Sequence, residues 1–495
     1  MIPVLSVAEM QAVDAAASVS VDTLMDRAGF AVAIEACRMG AAYGDVVHVL
    51  CGSGNNGGDG YIAAAYLRRR GVDARVHSFG TPSSDAAPGR ARHRALSNGV
   101  PMSPITTAPS ESGSLVIDAV FGTGFHGTLP HEVAAWANAS ASVLAVDVPS
   151  GVHGDTGEVD GTAFRAERTV TFHAPKPGHI LGSGPDLCGE VVVVDIGLDG
   201  GTPTMFRFTD DDVSVPSRQR TAHKWSVGAV ATIGGMPGLT GAALLAARAA
   251  LRSGAGVSSI LTTAATVATY EALAPELTTM QASETDSWRD HASEVLSLLA
   301  RYDVLVVGPG LEPAPSQFVE RLLEGFDGPM VVDAGAIGAI TRLDTLLERE
   351  APTVLTPHAG EFHRLTGVEA NHEEAMRLAD ATGATVLLKG NPTFVASREL
   401  VVVDAGGPEL ASIGTGDVLA GVIAALLAAG VEPGLAAATG AHLHARAAAG
   451  LAGSSVVTAS DLVEGVGAIV ARGCGGPIRW APLYGCGATE WGPVA

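Results

Sequence analysis

The sequence predicts an α/β protein built as two doubly wound, three-layer domains. Three observations carry this expectation. Short apolar runs rich in Val, Ile and Leu recur along the chain with Ala-rich helical stretches between them, the alternation that gives buried parallel strands under crossover helices. Hydrophobic residues fill 47% of the 495 positions but aromatics only 5%, which suits small-residue helices laid on apolar strands. Each half also carries its own glycine-rich turn where an apolar run meets a helix, the place where open α/β sheets bind ligands.

In the first half, strands are read at 46–50, 74–79, 115–120, 143–148, 168–173 and 191–196, with a helix over 61–70 and an Ala- and Met-rich helical stretch over about 7–40. The second half repeats the theme, with strands at 228–234, 257–263, 303–308, 330–334, 353–357, 385–390 and 400–405 and helices at 240–253, 416–429 and 434–449. The stretch 199–221 is rich in Gly, Pro, Thr and Asp and reads as a linker. The expected domains are 1–208 and 215–473, followed by a tail, 474–495, that lacks a core pattern.

A formal net charge of −22 repels a phosphate backbone, which argues against nucleic-acid binding but not against small nucleotides held by helix N-termini. Five dispersed cysteines without a CxxC pair argue against a disulfide framework or zinc site and for a reducing cytoplasm. The N-terminus lacks the basic and apolar regions of a signal peptide, and no clean apolar stretch approaches the ~20 residues of a membrane span. The expected partners are therefore small molecules, with no nucleic acid and no membrane; a homo-oligomer is expected, of unspecified order.

After the first strand comes Gly52-Ser53-Gly54-Asn55-Asn56-Gly57-Gly58-Asp59-Gly60, then a helix. Glycines let backbone approach a ligand, and the helix start offers free N–H groups to an anion. Gly52, Gly54 and Gly57 satisfy the GxGxxG dinucleotide fingerprint, but the second strand does not end in the acidic residue that fingerprint requires. Asp118 and Asp147 close two further strands; they are either ligand-facing carboxylates or loop caps.

GSGNNGGDGYIAA, IDAVFGTGFHG and DVPSGV, in this order, resemble the NAD(P)H-hydrate epimerase family over roughly residues 1–200. The resemblance implies a Rossmann-like fold with a potassium ion at Asn56, Asp118 and Ser150. It further implies substrate contacts at Asn55, Asn56, Gly57, Gly58, Asp59 and at Gly122, Thr123, Gly124, Phe125, His126, Gly127, Thr128, with Asp147 as acid/base. The substrate of such an enzyme has a hydroxyl on the ring carbon bonded to N1. Inverting that carbon needs a proton donor that later accepts a proton. The same fold serves RNA-decapping scaffolds as a non-catalytic module, and intact Asp118 and Asp147 favour the enzyme.

In the second half, Gly414-Thr415-Gly416-Asp417 enters an apolar helix. Its N–H groups can form an anion hole, and Asp417 can accept a proton from an attacking hydroxyl; the alternative is a capping Asp. The motif resembles the ribokinase-like superfamily. With IGGMPGLTGAALLAARAALRSGAG, VVGPGL, TPHAGEF and LLKGNPT, the stretch 225–470 is similar to ADP/ATP-dependent NAD(P)H-hydrate dehydratases. That resemblance implies hydrate contacts at Ala242, Gly310, His358 and Asp417, and nucleotide contacts at Lys389, Gly390, Asn391, Pro392, Thr393 and Gly416. It implies Mg2+ with ADP, or alternatively ATP. Two departures stand out: the usual Asp-Ala-Asp-Ala reads Asp333-Ala334-Gly335-Ala336, and AHKWSVG lacks a glycine after Lys224. The expected function is repair of hydrated NADH and NADPH, by epimerisation of the R and S forms and dehydration of the S form. The alternative is a ribokinase-like vitamin or sugar kinase with a non-catalytic N-terminal module.

Overall fold

A computed structural model of the protein describes residues 1–105, 114–283, 288, 291–452 and 456–473. It divides into two compact units, Ile2–Phe206 and Arg207 onward. The tail 474–495, with Cys474 and Cys486, lies outside the described residues.

The first unit is a seven-stranded sheet in the order Met102–Pro104, Asp73–Ser78, Val46–Cys51, Leu115–Ala119, Ser142–Val146, Arg168–Phe172, Glu190–Val194. Every pairing is parallel. The strands are apolar on both faces because both are covered. Helices Val21–Arg38 and Asn55–Arg69 pack Met25, Ala28, Val32 and Ile62 on one side, while Val133, Trp136 and Phe164 fill the other. The strand order reverses between Val46–Cys51 and Leu115–Ala119, so the crevice beyond their carboxyl ends is the expected ligand position of a doubly wound sheet.

The second unit runs Leu400–Val403, Thr393–Ala396, Thr385–Leu388, Thr353–Leu355, Met330–Val332, Val304–Val307, Ala229–Ile233, Val257–Thr263, Thr278–Ser283. Seven of these strands pair in parallel, and the first two continue the sheet in antiparallel pairing. Helices Thr240–Arg252, Thr415–Ala428, Pro433–Leu451 and Ala459–Gly473 supply alanine-rich faces to one core. Helix Ser316–Gly325 buries Phe318, Val319, Leu322 and Leu323.

Every strand read from the sequence forms, its ends shifted by at most two residues. Three readings need correction. The sequence reading lacks strands Thr278–Ser283 and Thr393–Ala396, because TTMQAS is polar and TFVA runs on from a glycine-proline turn, and the three-residue strands Ile2–Val4, Met102–Pro104 and Met205–Arg207, which are too short to show a pattern. The helix expected from residue 61 starts at Asn55, so most of the glycine-rich motif is helix rather than loop. The stretch 199–221 is no bare linker. Phe208 is buried and its N–H donates to the Val402 carbonyl at 2.9 Å, Asp210 accepts from His442 at 2.7 Å, and Val213 and Val215 pack on the second unit's core. Apolar residues scattered among Pro and Asp carry no period, which is why this attachment escapes a pattern search. Among the described residues no helix is long and apolar enough to cross a membrane.

Candidate active sites

In the first unit a cavity of about 520 Å³ opens at the strand-order reversal. Asn55, Asn56, Asp59, Gly122, Thr123, Gly124, Phe125 and Asp147 line it. Gly57, Gly58, His126, Gly127 and Thr128, expected to contact substrate, do not line this cavity. The early helix start explains the first pair. Positions 55, 56 and 59 share one face of the helix, and 57 and 58 turn away. A Cβ on Gly57 would lie 2.0 Å from the Gly52 carbonyl oxygen, and one on Gly58 2.5 Å from the Met25 side chain. Those two glycines permit close packing. His126 instead stacks edge-on against His153, 5.5 Å between centroids.

Asp147 follows strand Ser142–Val146 with a left-handed φ of 66°, an unfavourable conformation for a non-glycine residue that recurs at functional positions. The turn presents its carboxylate to Lys176 Nζ at 2.9 Å, to the Thr171 hydroxyl at 3.1 Å and to the Thr123 N–H at 3.3 Å. Burial alone would raise the Asp147 pKa; the charge and hydrogen bond of Lys176 overcome it and hold the carboxyl below the ordinary carboxylate range. Lys176 is itself buried and also donates to Thr171 Oγ1 at 2.7 Å. His179 fastens the turn. It accepts the Lys176 N–H on Nδ1 at 2.9 Å, so Nε2 carries the proton and donates to the Asp147 carbonyl at 2.7 Å. Burial, then Lys176, pushes this imidazole down to about 4, which keeps it neutral.

Asp118, in strand Leu115–Ala119, is fully buried. It accepts from the Ser150 N–H at 2.7 Å, the Ser150 hydroxyl at 2.7 Å and the Val120 N–H at 3.3 Å, and burial pushes it up to about 6. The Ser150 hydroxyl also receives the Phe121 N–H at 2.9 Å. Next along the chain, Gly122 abuts Asn56, whose amide oxygen would be 3.4 Å from a Cβ there. Both polar atoms of the Asn56 side chain are buried and have no partner among the described residues.

In the second unit Lys389 is the hub. Its ammonium donates to Asp333 at 2.8 Å and lies 3.6 Å from Glu361. Asp333 also accepts from the Thr356 hydroxyl at 2.8 Å. Glu361 closes a capping box with His358 at the start of helix Ala359–Thr366. Asp417 stands in the first turn of helix Thr415–Ala428. Burial and then the neighbouring Asp333 push its carboxyl up to about 7, against the lowering effect of Lys389. A cavity of about 400 Å³ adjoins this cluster, lined by Lys389, Gly390, Asn391, Thr393 and Gly416 together with His444 and Gly407. Pro392 does not line it. Ala242 and Gly310 both meet Leu239: the Ala242 N–H points to the Leu239 carbonyl at 3.3 Å, and a Cβ on Gly310 would be 2.4 Å from that oxygen.

The missed residues are instructive. Lys176, Thr171, His179 and Asp333 were not named as site residues, yet the whole chain holds only three lysines, Lys176, Lys224 and Lys389. In an acidic chain, so few lysines near strand ends are a signal for specific pairing. The Gly335 departure also finds a reason. A Cβ there would sit 2.0 Å from the Leu311 carbonyl oxygen. We therefore expect Gly335→Asp, although it restores the more usual residue, to destabilise the second unit by about 1–3 kcal/mol through overpacking. A lower thermal midpoint measured by calorimetry is the expected result, and an unchanged one refutes the steric account.

Residues 230–466 match the family described as NAD(P)H-hydrate dehydratase, and residues 21–178 the family described as YjeF-related protein N-terminus. A bifunctional NAD(P)H-hydrate repair enzyme of Salinibacter ruber is 38% identical, over 90% of this chain and 91% of its own. One of Moorella thermoacetica is 36% identical over 89% of this chain and 91% of its own. The chain belongs to the family of bifunctional NAD(P)H-hydrate repair enzymes. The match spans both units, so the reading of this repair enzyme as a vitamin or sugar kinase with an inert N-terminal module falls away. A crystal structure of an ADP/ATP-dependent NAD(P)H-hydrate dehydratase from Bacillus subtilis is 31% identical, with a TM-score of 0.46, over 52% of this chain and 94% of that one.

Proposed function

We propose that the first unit of this repair enzyme epimerises hydrated NADH and NADPH at the Asp147 cavity, and that the second dehydrates the S form at the Asp417 cluster at the expense of ADP, with ATP as the alternative donor. One observation carries the pairing of sites. Each unit holds a lysine–aspartate pair beside a cavity near its strand ends, Lys176–Asp147 at 2.9 Å and Lys389–Asp333 at 2.8 Å. In the first, Lys176 keeps Asp147 ionised and ready to accept a proton. In the second, Lys389 neutralises Asp333, while Asp417 keeps a pKa near neutrality, suited to a base that must take up and release a proton. Phosphorylating the ring hydroxyl turns a poor leaving group into phosphate, so a base beside an anion-binding helix start fits dehydration.

A monovalent cation fits the floor of the first cavity. Asn56 brings an unpartnered buried amide oxygen, Ser150 a hydroxyl and Asp118 a single carboxylate, a donor set with one negative charge. When bound, such an ion would hold substrate phosphate or hydroxyl oxygens by its charge. In the second unit Lys389 neutralises Asp333 and approaches Glu361, and among the described residues no group of three or more His, Cys, Asp or Glu could hold a metal. Mg2+ would sit on the nucleotide phosphates, whose charge it neutralises. Cys37, Cys51 and Cys188 are free thiols, in keeping with a reducing cytoplasm.

The test is incubation of the full chain with mixed R- and S-hydrated NADH. Without nucleotide, only R/S interconversion is expected on chromatography. With ADP or ATP and Mg2+, NADH absorbance should recover from both forms. Recovery limited to the S form would remove the epimerase assignment, and no recovery would remove the dehydratase assignment. We further expect a cut between Phe206 and Arg207 to yield two independently active units, since Phe208, Val213 and Val215 stay with the second. Two insoluble fragments on separate expression would refute that division.

A further inference from the structure

Two further carboxyls, Asp14 and Asp59, line the first cavity, and the surroundings of Asp59 are the reverse of those of Asp147. Asp59 is only 9% exposed and lines the cavity beside Asn55 and Asn56. Among the described residues no hydrogen-bond donor reaches its oxygens and no cation acts on it; its charged neighbours are Asp147 and Asp14. The Cys51 thiol, from the strand beneath, also feels it. The one buried ammonium nearby, Lys176, is held by Asp147 and Thr171. Three carboxyls, Asp14, Asp59 and Asp147, line a cavity whose one lining ammonium is Lys176; they cannot all ionise cheaply, and Asp59, buried and without a hydrogen-bond donor among the described residues, is placed to keep its proton.

We propose that Asp59 is the general acid of the epimerase reaction, working opposite the ionised Asp147 as general base. This rests on the epimerase reading of the same cavity. The neutral Asp59 carboxyl donates its proton to the ring hydroxyl. The C–O bond breaks with its electron pair leaving on oxygen as water, and the N1 lone pair closes a C=N bond to that carbon. Water then adds to the other face while Asp147 takes the proton it sheds. A proton passing from Asp147 back to Asp59 restores the starting state, so nothing is oxidised and nothing consumed. Burial, then Asp147, then Asp14 raise the Asp59 pKa well above its ordinary value, the direction that a proton donor requires.

The test is Asp59→Asn in the full chain. Asparagine has the shape of the neutral carboxyl and loses only the transferable proton. Interconversion of R and S forms should fall by roughly 10²–10⁴-fold, with ADP-dependent dehydration of purified S-hydrate unchanged. The wild-type epimerisation rate should decline at high pH, and that decline should vanish in the variant. The infrared carbonyl band of a protonated carboxyl at pH 7 should weaken in the same variant. A near-normal rate in Asp59→Asn, or a loss carried by KM alone, overturns the assignment. If Asp147→Asn is inactive while Asp59→Asn is normal, only this inference fails; if both epimerise normally, the reading of the cavity fails with it.

Discussion

Replacing Asp147 with Asn should slow R/S interconversion by roughly 10²–10⁴-fold while leaving dehydration of the S-hydrate at its normal rate. The argument is electrostatic. Asp147 is a carboxylate at neutral pH because Lys176 Nζ lies 2.9 Å away and Thr171 donates at 3.1 Å. Asparagine keeps the Thr123 and Thr171 contacts within reach but cannot accept a proton. It also leaves Lys176 buried without its counter-charge, and breaking a buried pair in this way costs about 3–5 kcal/mol. The variant's first unit should therefore melt earlier, while the second unit is unaffected. The pH sign follows from the lowered pKa of Asp147. Its contribution to stability is complete above the unfolded carboxylate pKa, about 3.9, and is lost as pH falls through the lower folded value. Asp59, raised by burial, acts oppositely and favours the fold at lower pH. Chromatographic separation of R- and S-hydrate gives the rate, and a normal rate from a folded variant would remove Asp147 from the chemistry.

Much of this was legible in the sequence, and the limits have physical causes. Strands buried on both faces read as continuous apolar runs, so VVHVLC and LVIDA could hardly be missed. GNNGGDG reads as a ligand-binding element, and the structure adds that Gly57 and Gly58 are packed too closely for a Cβ. Period-3.6 reasoning places Asn55, Asn56 and Asp59 together only once the helix start is known, and glycine-rich sequence conceals a helix start. The pairing of Lys176 with Asp147 joins residues 29 positions apart, through the register of neighbouring strands, and no local pattern encodes it. The same holds for Lys389 and Asp333. His358 carries a local role that its TPHAGEF setting does not announce: Nδ1 accepts the Gly360 N–H at 2.9 Å as a helix cap.

Asp417→Asn should abolish dehydration and leave epimerisation intact, and the shape of the pH profile should identify the reason. Burial, reinforced by Asp333 and only partly offset by Lys389, pushes Asp417 up to about 7. A base acts when deprotonated. The wild-type dehydration rate should therefore rise with pH, pass half-maximum near 7 and level off above it. In Asp417→Asn the rate should be lower by roughly 10²–10⁴-fold and the rise should disappear. Nucleotide binding should change little, because Lys389, Gly390, Asn391, Thr393 and Gly416 still line their cavity. A capping role forecasts otherwise: Asn caps as well as Asp, so the cost would be a few tenths of a kcal/mol and the turnover nearly normal. The geometry already weighs against capping, since Gly414 holds the cap position and no side chain caps this helix. ADP- or ATP-dependent recovery of NADH from purified S-hydrate, followed across pH 5.5–8.5, decides it. Near-wild-type turnover, or a residual activity that still rises through pH 7, would mean that the titrating base is another group.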